Sequence, residues 1–405
     1  MRGFVRVRRE CRIVTTYSFN MMQERIYLDW NATTPLRREA REAMAAAWDI
    51  VGNPSSIHAE GRRARGLVED ARDAVATAVG GEPRNVVFTS GGTEANALAL
   101  TPGGHKQAID KLIVSAVEHA SVLAGGQFAP DRIARLPVHR SGLVDLDALR
   151  MMLAGGSPAL VSVMLANNET GAIQPVAEVA ELVHEAGGLL HVDAVQAFGK
   201  ISFDIIELNA DFLAVSAHKI GGPKGIGALM FAPNQIGPSA LIRGGGQERG
   251  RRAGTENVPA IAGFGAAAKV AVAARHSDMA RVETLRNRLE EGLRQTRGSV
   301  IFSQDVARLP NTALFGVSGL KAETAVVGFD LEGVAVSSGS ACSSGKVQPS
   351  HVLEAMGYGP ELAKSAIRFS LGWETTDADV DRAIKAWRKL SSALLRRDET
   401  VLEPF

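Results

Sequence analysis

The sequence predicts a doubly wound α/β domain followed by a smaller α+β domain. Between Glu82 and Phe231, short runs rich in Val, Ile, Leu, Ala and Phe alternate with longer segments of helical periodicity. These apolar runs are continuous rather than alternating, which is typical of parallel strands covered by helices on both faces. Beyond Ala274 the pattern changes to a long amphipathic helix, a short strand and mixed elements. We therefore expect a large domain at 26–274 and a small domain at 275–405.

Six strands are predicted in the large domain. In chain order they are NVVFTS, KLIVSAV, ALVSVMLA, GLLHVDAV, DFLAVSAH and GALMFA. Segments such as TEANALAL and VAEVAELVHEAG lie between them and have helical periodicity. RIYLDW is predicted as an earlier strand near the small domain, and Pro259–Ala274 as a packed helix between the domains. Sheets of this kind bind ligands at the carboxyl ends of their strands, so the residues there are candidates for a site.

The composition is that of an ordinary globular protein. The chain has 405 residues, of which 45% are hydrophobic and 22% charged, and its net charge is +1. This balance favours neither nucleic acid nor a membrane as a partner, and no apolar run reaches the ~18 residues of a membrane span. The two cysteines, Cys11 and Cys342, cannot form a disulfide framework, which indicates a reducing, cytoplasmic compartment. Residues 1–25 are predicted to be a disordered leader or a non-native start.

A glycine turn follows the first strand of the large domain. NVVFTS leads into GGTEANALAL, in which Gly92 and Thr93 stand at the start of a predicted helix. Free backbone N–H groups and the helix dipole favour an anion there, and glycines let a phosphate approach closely. Taken alone, the pattern more often marks a plain turn with Thr93 as the N-cap. It matches neither a Walker loop nor GxGxxG, so a nucleotide site has little support.

The strand GLLHVDA ends in a carboxylate. Asp193 stands at its end, with Gln196 shortly after, and a buried carboxylate there requires a cationic partner. His191 and Asp193 point to the same face, because side chains alternate along a strand. A metal site is therefore an alternative, with His119 or His218 as a third ligand.

A lysine stands where the next strand, DFLAVSA, ends. The strand is followed directly by His218 and Lys219. Burial lowers the pKa of a lysine, so that a neutral amine is available as a nucleophile. An anion cradle, a carboxylate and a lysine thus occur at strand ends of one sheet. These are the parts of a pyridoxal 5'-phosphate (PLP) site, which needs a phosphate cup, an acid for the pyridinium nitrogen and a Schiff-base lysine.

Ten short motifs carry a resemblance to a known family. In order they are NATTPL, GNPSSIH, FTSGGTEANALAL, VEHASVL, NNETGAIQPV, HVDAVQ, SAHKIGGPKGIGAL, GGGQERGRRAGTENV, SSGSACSSG and IRFSLG. Together they resemble the cysteine desulfurases, which are PLP enzymes of fold type I in the class-V aminotransferase group. The match runs from about Ile26 to the C-terminal helix, and it implies a mainly parallel seven-stranded sheet plus a smaller α+β C-terminal domain. Trp30 and Gly221–Gly222 depart from the family pattern, but neither falls on a proposed catalytic group.

The resemblance implies a role for each matched residue. Lys219 would carry PLP as a Schiff base, Asp193 would pair with the pyridine nitrogen, and Gln196 would pair with the phenolic oxygen. His119 would stack on the ring and help to move protons. The other cofactor contacts would come from Gly92, Thr93, Asn168, Ser216, His218 and, from the partner subunit, Thr255.

Two further residues are expected at the substrate. Arg368 would hold the substrate carboxylate with Asn168, since a guanidinium binds a carboxylate as a bidentate fork. The alternative for Arg368 is a structural salt bridge. Cys342 lies among serines and glycines, not among the apolar neighbours of a packed cysteine. The resemblance implies that Cys342 takes the sulfur of L-cysteine as a persulfide, that alanine leaves, and that the loop moves to deliver the sulfur.

The predicted function is a homodimeric L-cysteine desulfurase that feeds an iron–sulfur scaffold protein or another sulfur acceptor. SSGSAC resembles the long-loop branch that serves iron–sulfur cluster assembly, and RRAGTEN is the segment expected to cross to the partner subunit. No intrinsic metal is expected, although Cys342 could transiently ligate a nascent cluster. Three alternatives stay open: an aminotransferase or selenocysteine lyase, a non-catalytic sulfur-pathway partner or regulator, and a metal hydrolase that uses His191 and Asp193.

Overall fold

The computed structural model describes residues 25–101, 109–233, 235, 237–339 and 349–395, which are built on two sheets and a separate strand pair. The strands are β1 (Ile26–Tyr27), β2 (Val86–Thr89), β3 (Lys111–Ser115), β4 (Ile133–Leu136), β5 (Ala159–Ser162), β6 (Leu189–Asp193), β7 (Phe212–Ser216), β8 (Gly227–Phe231), β9 (Ser299–Ile301), β10 (Thr312–Val317), β11 (Val334–Ala335), β12 (Ser337–Ser338) and β13 (Ile367–Ser370). The helices are α1 (Arg38–Trp48), α2 (Ala59–Ala78), α3 (Gly92–Ala99), α4 (Ala120–Leu123), α5 (Leu146–Leu153), α6 (Val176–Glu185), α7 (Val258–Arg294), α8 (Ala322–Leu331), α9 (His351–Ala355), α10 (Pro360–Ala363) and α11 (Asp377–Leu394).

The large sheet has seven strands in the order β2-β8-β7-β6-β5-β3-β4. Only β8 runs antiparallel to its neighbours, β2 and β7, so the predicted fold class, with its mainly parallel sheet, is confirmed. All six predicted strands form. The seventh, β4, was not predicted from composition because its sequence, IARL, carries an exposed Arg135 and lies at the sheet edge, where only Leu136 is fully buried.

Both faces of this sheet are buried, which accounts for the continuous apolar runs. On β6, Leu190 and Val192 face a core shared with α1, α2, α5, α6 and α7. Leu189, one residue earlier, faces a second core shared with α3 and α4. Since successive side chains of a strand point to opposite faces, a strand covered on both sides must be apolar at every position. The two helical layers place the carboxyl ends of the central strands along one open edge.

The second sheet has four strands in the order β12-β13-β10-β9, and every neighbouring pair is antiparallel. Its core is shared with α8, α11 and the second half of α7. The N-terminal segment reaches this region, because β1 pairs in parallel with β11 and Asp29 bridges to Ser370. Arg368, on β13, is thereby brought to the large sheet's open edge.

Helix α7 connects the two cores. Its first half, including Phe264, packs in the core of the large sheet, and its second half, including Leu289, packs in the core of the small sheet. The predicted domain boundary at residue 274 lies within this continuous helix. By length and composition alone, α7 is the one helix in the described ranges that could cross a membrane, but half of that apolar stretch is buried inside the protein.

Trp30 and Gly221, which belong to the two departures from the family pattern, both pack against Trp373. The rings of Trp30 and Trp373 contact edge to face at 4.6 Å, and the Arg37 guanidinium lies 3.8 Å over the Trp373 ring. Gly221 has φ +85°, and a Cβ atom there would lie 2.4 Å from Arg37 Cγ. Gly372 is similarly required, since a Cβ there would overlap the Trp30 ring. The tryptophan and the glycines are therefore matched to one another in shape.

Candidate active site

A cavity of about 240 Å³ lies at the carboxyl ends of the large sheet. Every side chain that lines it belongs to a segment that follows β2, β3, β5, β6 or β7, or to the last residue of such a strand. Nine of the predicted site residues line this cavity: Gly92, Thr93, His119, Asn168, Asp193, Gln196, Ser216, His218 and Lys219. Residues separated by more than a hundred positions in sequence are thus brought together by the parallel topology.

The start of α3 forms one wall of the cavity. Gly91 is the N-cap of α3, and Thr93 is the second residue of the helix. The alternative of a plain turn with Thr93 as the N-cap is therefore wrong. The first N–H groups of a helix have no intrahelical acceptor and favour an anion. A Cβ atom on Gly92 would lie 2.9 Å from Val195 Cγ2 and 3.5 Å from Ser216 Cβ, so only glycine keeps this cradle open.

Asp193 projects into the cavity from the end of β6 and is held by two donors. Its Oδ2 accepts from Asn96 Nδ2 at 2.7 Å, and its Oδ1 accepts from the backbone N–H of Val195 at 2.9 Å. Asn96 Nδ2 also donates to Ser121 Oγ at 2.9 Å. Asn96 and Ser121 were not predicted. Asn96 lies one turn beyond Gly92 on α3, and this i, i+4 spacing is the sequence signal that indicates it.

His119 is the N-cap of α4, and that position fixes its ring. Its Nδ1 accepts from the backbone N–H of Ser121 at 3.2 Å and lies 2.8 Å from Ser121 Oγ. Because a backbone N–H only donates, Nδ1 is an acceptor, and the neutral ring carries its proton on Nε2. His119 therefore lines the cavity with Nε2 as its proton donor.

Lys219 lies in a single helical turn that follows β7. Its Nζ donates to the backbone carbonyl oxygens of Asn31 and Ala32, the latter at 2.9 Å. Burial, reinforced by the positive charge of Arg368, lowers the pKa of Lys219 to about 8. Burial likewise lowers the pKa of His218 to about 4, so that its imidazole is neutral at physiological pH. The site thus holds an amine that needs little energy to become a neutral nucleophile.

Arg368 reaches the site through Asn168 and does not itself line the cavity. One guanidinium nitrogen donates to the backbone carbonyl oxygen of Asn168 at 3.1 Å, and the other donates to Asp29 at 2.7 Å. The structural salt bridge that was the alternative for Arg368 is therefore present. Its Nε is buried without a hydrogen-bond partner among the described residues, which leaves one donor for an anion.

The structure describes one of the two remaining predicted site residues, Thr255. Thr255 is exposed and lines a different cleft, with Ser90 and Glu248. Its segment is fixed to α3 by the Arg252–Glu94 ion pair and to α2 by Glu248, which binds the buried Arg72. Cys342 lies outside the described residues.

The histidine of the metal-site alternative has another role in the packing. His191 Nδ1 lies 2.8 Å from Ser162 Oγ on the neighbouring strand, and burial lowers the pKa of His191 to about 4. Within the described ranges, no group of three His, Cys, Asp or Glu side chains is placed to hold a metal ion. Geometry gives that alternative no support.

Comparisons with known proteins agree on one family. The family model described as Aminotransferase class-V matches residues 26–383. A protein named cysteine desulfurase from Cereibacter sphaeroides is 44% identical over 89% of this chain and 94% of its own length. Cysteine desulfurase IscS from Dictyoglomus turgidum is 40% identical over 92% and 96%. The X-ray structure of the NifS-like protein from Rickettsia africae has a TM-score of 0.84 and 38% identity, and the match covers 91% of this chain and all of that one.

Proposed function

This chain belongs to the aminotransferase class-V family, and we propose that it acts as a PLP-dependent cysteine desulfurase, which converts L-cysteine to L-alanine and mobilises the sulfur. One observation carries the proposal. The open start of α3, the Asp193 carboxylate and the Lys219 amine line a single cavity at the carboxyl edge of the sheet. PLP binding requires each of these three groups, and their meeting at one edge of the sheet supports a PLP site there.

The residues of the cavity fit PLP by chemistry and by shape. The cradle at Gly92, which a Cβ atom would fill, suits a phosphate at a helix N-terminus. Asp193, held by Asn96 and Val195, would accept a hydrogen bond from a protonated ring nitrogen. Lys219, with its pKa lowered to about 8, would be the covalent attachment point. When bound, PLP supplies an electron sink that stabilises negative charge on an attached amino acid.

The protein's own groups then hold the substrate and move its protons. The free Nε–H of Arg368, together with Asn168, would bind the substrate carboxylate. Lys219 Nζ, once released from attachment, would be the base that takes the proton from the substrate's Cα. His119 would donate from Nε2, the nitrogen that its bond to Ser121 leaves protonated.

Cys342 would receive the sulfur. Its thiolate attacks the sulfur of the bound L-cysteine, an S–S bond forms, and the C–S bond breaks with its electron pair left on carbon. Protonation of that carbon gives alanine, and Cys342 is left as a persulfide. Only the thiolate is an effective nucleophile, so a thiol that ionises near cationic groups suits this step.

The proposal is tested by following alanine and sulfide from L-cysteine with purified protein. Wild type is expected to be active, Cys342→Ala inactive, and Lys219→Ala both inactive and without the visible absorbance of bound PLP. Lys269→Ala and Cys11→Ala are the matched controls, because Lys269 is exposed on α7 and Cys11 lies outside the family match. Full activity of Cys342→Ala would instead favour an aminotransferase or a selenocysteine lyase. Wild type that binds no PLP would favour a non-catalytic sulfur-pathway protein.

A homodimer is part of the proposal. Thr255 is exposed and outside its own cavity, which is what a contribution to the partner subunit's phosphate site requires. Trp48, Val51 and Ile57 are 68%, 83% and 89% exposed, and so many large apolar side chains within ten residues favour a protein interface. Light scattering should give twice the mass of one chain, and a fully active monomer would contradict the dimer.

An iron–sulfur scaffold protein is the acceptor that we propose, in the cytoplasm, where thiols stay reduced. The support is the long SSGSAC loop and the IscS and NifS-like names of the relatives. Labelled sulfur loaded onto wild type from L-cysteine should move to a purified scaffold protein but not to one without its cysteines. Transfer to other sulfur acceptors alone would refute the choice of a scaffold, and localisation by cell fractionation would check the compartment.

A further inference from the structure

A second buried lysine lies directly behind the cavity wall. Lys200 is only 7% exposed, and its Nζ donates to Gln196 Oε1 and to Asn31 Oδ1, both at 2.8 Å. It does not line the cavity of the candidate active site, whereas Gln196 does. Burial, together with the positive charges of Lys219 and Arg368, lowers the pKa of Lys200. A buried amine among other cations is costly and calls for a function.

Lys200 and Asn31 together fix which way the Gln196 amide points. The backbone carbonyl oxygen of Asn31 only accepts, so Gln196 Nε2, 3.0 Å away, must be the end that faces it. Gln196 Oε1 then faces Lys200, which supplies the donor. With Oε1 bound in this way the amide cannot rotate by 180° without losing both bonds. One N–H of Nε2 is left over, on a side chain that lines the cavity.

Asn31 is itself locked in one orientation. Its Nδ2 donates to the Asn168 carbonyl oxygen at 3.1 Å and to Thr312 Oγ1 at 2.9 Å. Its Oδ1 accepts from Asn311 Nδ2 as well as from Lys200. The same residue's backbone oxygen accepts from Lys219 Nζ. Asn31 therefore links Lys200 to the catalytic lysine through a network in which each acceptor has a defined donor.

We propose that Lys200 is a positioning residue that holds the Gln196 amide as a hydrogen-bond donor toward the phenolic oxygen of bound PLP. It acts through Gln196 and touches neither cofactor nor substrate. A donated hydrogen bond favours the deprotonated, more negative form of the bound group. Lys200 thereby sets the pH at which PLP in this site titrates. The inference rests on PLP binding here and not on cysteine as the substrate.

The experiment is a pH titration of the visible absorbance of bound PLP in the holoenzyme. Lys200→Met, which keeps an unbranched apolar stem but removes the donor, should raise the midpoint by about one pH unit. Gln196→Leu should raise it too, and the double variant should shift it by clearly less than the sum of the two, because one residue acts through the other. Lys269→Met, exposed on α7, is the control with an unchanged midpoint. Lys200→Gln, which retains an amide donor, should shift the midpoint less than Lys200→Met.

Each outcome has a consequence for the proposal. An unchanged midpoint in Lys200→Met, or additive shifts in the double variant, would overturn it. If neither Lys200 variant folds with bound PLP, Lys200 serves the fold rather than the site, and the proposal is wrong. Wild type without PLP absorbance would be a failure of the proposed function instead, so the two failures are distinguishable.

Discussion

Glu169 is predicted to make the protein less stable as the pH rises through neutrality. It is 3% exposed, follows Asn168, and its Oε2 accepts from Ser350 Oγ at 2.6 Å. Ser350 is also the N-cap of α9, through the N–H of Leu353. Burial raises the pKa of Glu169 from 4.5 to about 7, although Ser350 and the charge of Arg368 act in the opposite direction. We therefore choose Glu169→Gln, which keeps the shape and removes the titration.

The sign and the magnitude follow from linkage between proton binding and folding. The folded state binds this proton more tightly than the unfolded state, so the stabilisation is complete below pH 4.5 and is lost as the pH rises through 7. A shift of about 2.5 pKa units corresponds to about 3.4 kcal/mol, of which about 2 kcal/mol is lost between pH 5.5 and 8.5. Because Glu169→Gln lacks this loss, its stability relative to wild type should improve by about 2 kcal/mol over that interval.

The assay is urea unfolding at pH 5.5 and pH 8.5, with protein and PLP concentrations held constant. The quantity compared is the difference in unfolding free energy between variant and wild type at each pH, so effects common to both cancel. Glu181→Gln, exposed on α6, is the matched control and should give the same difference at both pH values. If the Glu169→Gln difference is also the same at both, the buried carboxyl is not the titrating group and the reasoning is refuted.

Three other substitutions test separate parts of the structure. Arg368→Lys keeps a positive charge but lacks the Nε–H proposed for the substrate carboxylate, so KM for L-cysteine should rise about tenfold in steady-state kinetics. An unchanged KM would mean that Arg368 serves only the ion pair with Asp29. Glu248→Gln removes the buried carboxylate that pairs with Arg72 and leaves only the part-exposed Glu69 as its charged partner, so it should cost about 2–3 kcal/mol in urea unfolding; equal stability would contradict this. Gly221→Ala places a Cβ atom at a positive φ and close to Arg37, so it should lower the unfolding free energy by about 1–3 kcal/mol in urea unfolding. An unchanged unfolding free energy would contradict the close packing of Gly221 against Arg37.

Most of the fold could be predicted from the sequence because the parallel sheet is buried on both faces. A strand with two buried faces is apolar at every position, and that pattern is visible without any partner. The strand β4 has one half-exposed face and lacks the pattern. The two predicted helices around residue 274 proved to be the single helix α7, since the alanine-rich half and the amphipathic half pack in different cores and differ in composition.

The anion cradle, the carboxylate and the lysine of the cavity could be predicted because each stands where a strand ends, and strand ends share an edge. The other lining residues that were predicted came from the family resemblance. The residues that support them could not be predicted in the same way. Asn31 contacts Lys200, Gln196 and Asn168, which lie 137 to 169 positions away in sequence. A buried hydrogen-bond network is defined by tertiary structure, because its members need only meet in space. The roles given to the lining residues stay predictions until the variants are measured.

Electrostatics ties the cavity to its ligands. Lys219, Lys200 and Arg368 are close enough that each lysine's pKa is lowered by a neighbouring cation as well as by burial. Asp29 and Asp193 offset part of this charge at Lys219. PLP brings a phosphate and a phenolic oxygen, and an amino acid brings a carboxylate, so binding places anions beside cations that are already fixed in position. Groups fixed in advance need no reorganisation when charge develops on the substrate, and we expect this preorganisation to be what Lys200 and Lys219 contribute to the chemistry.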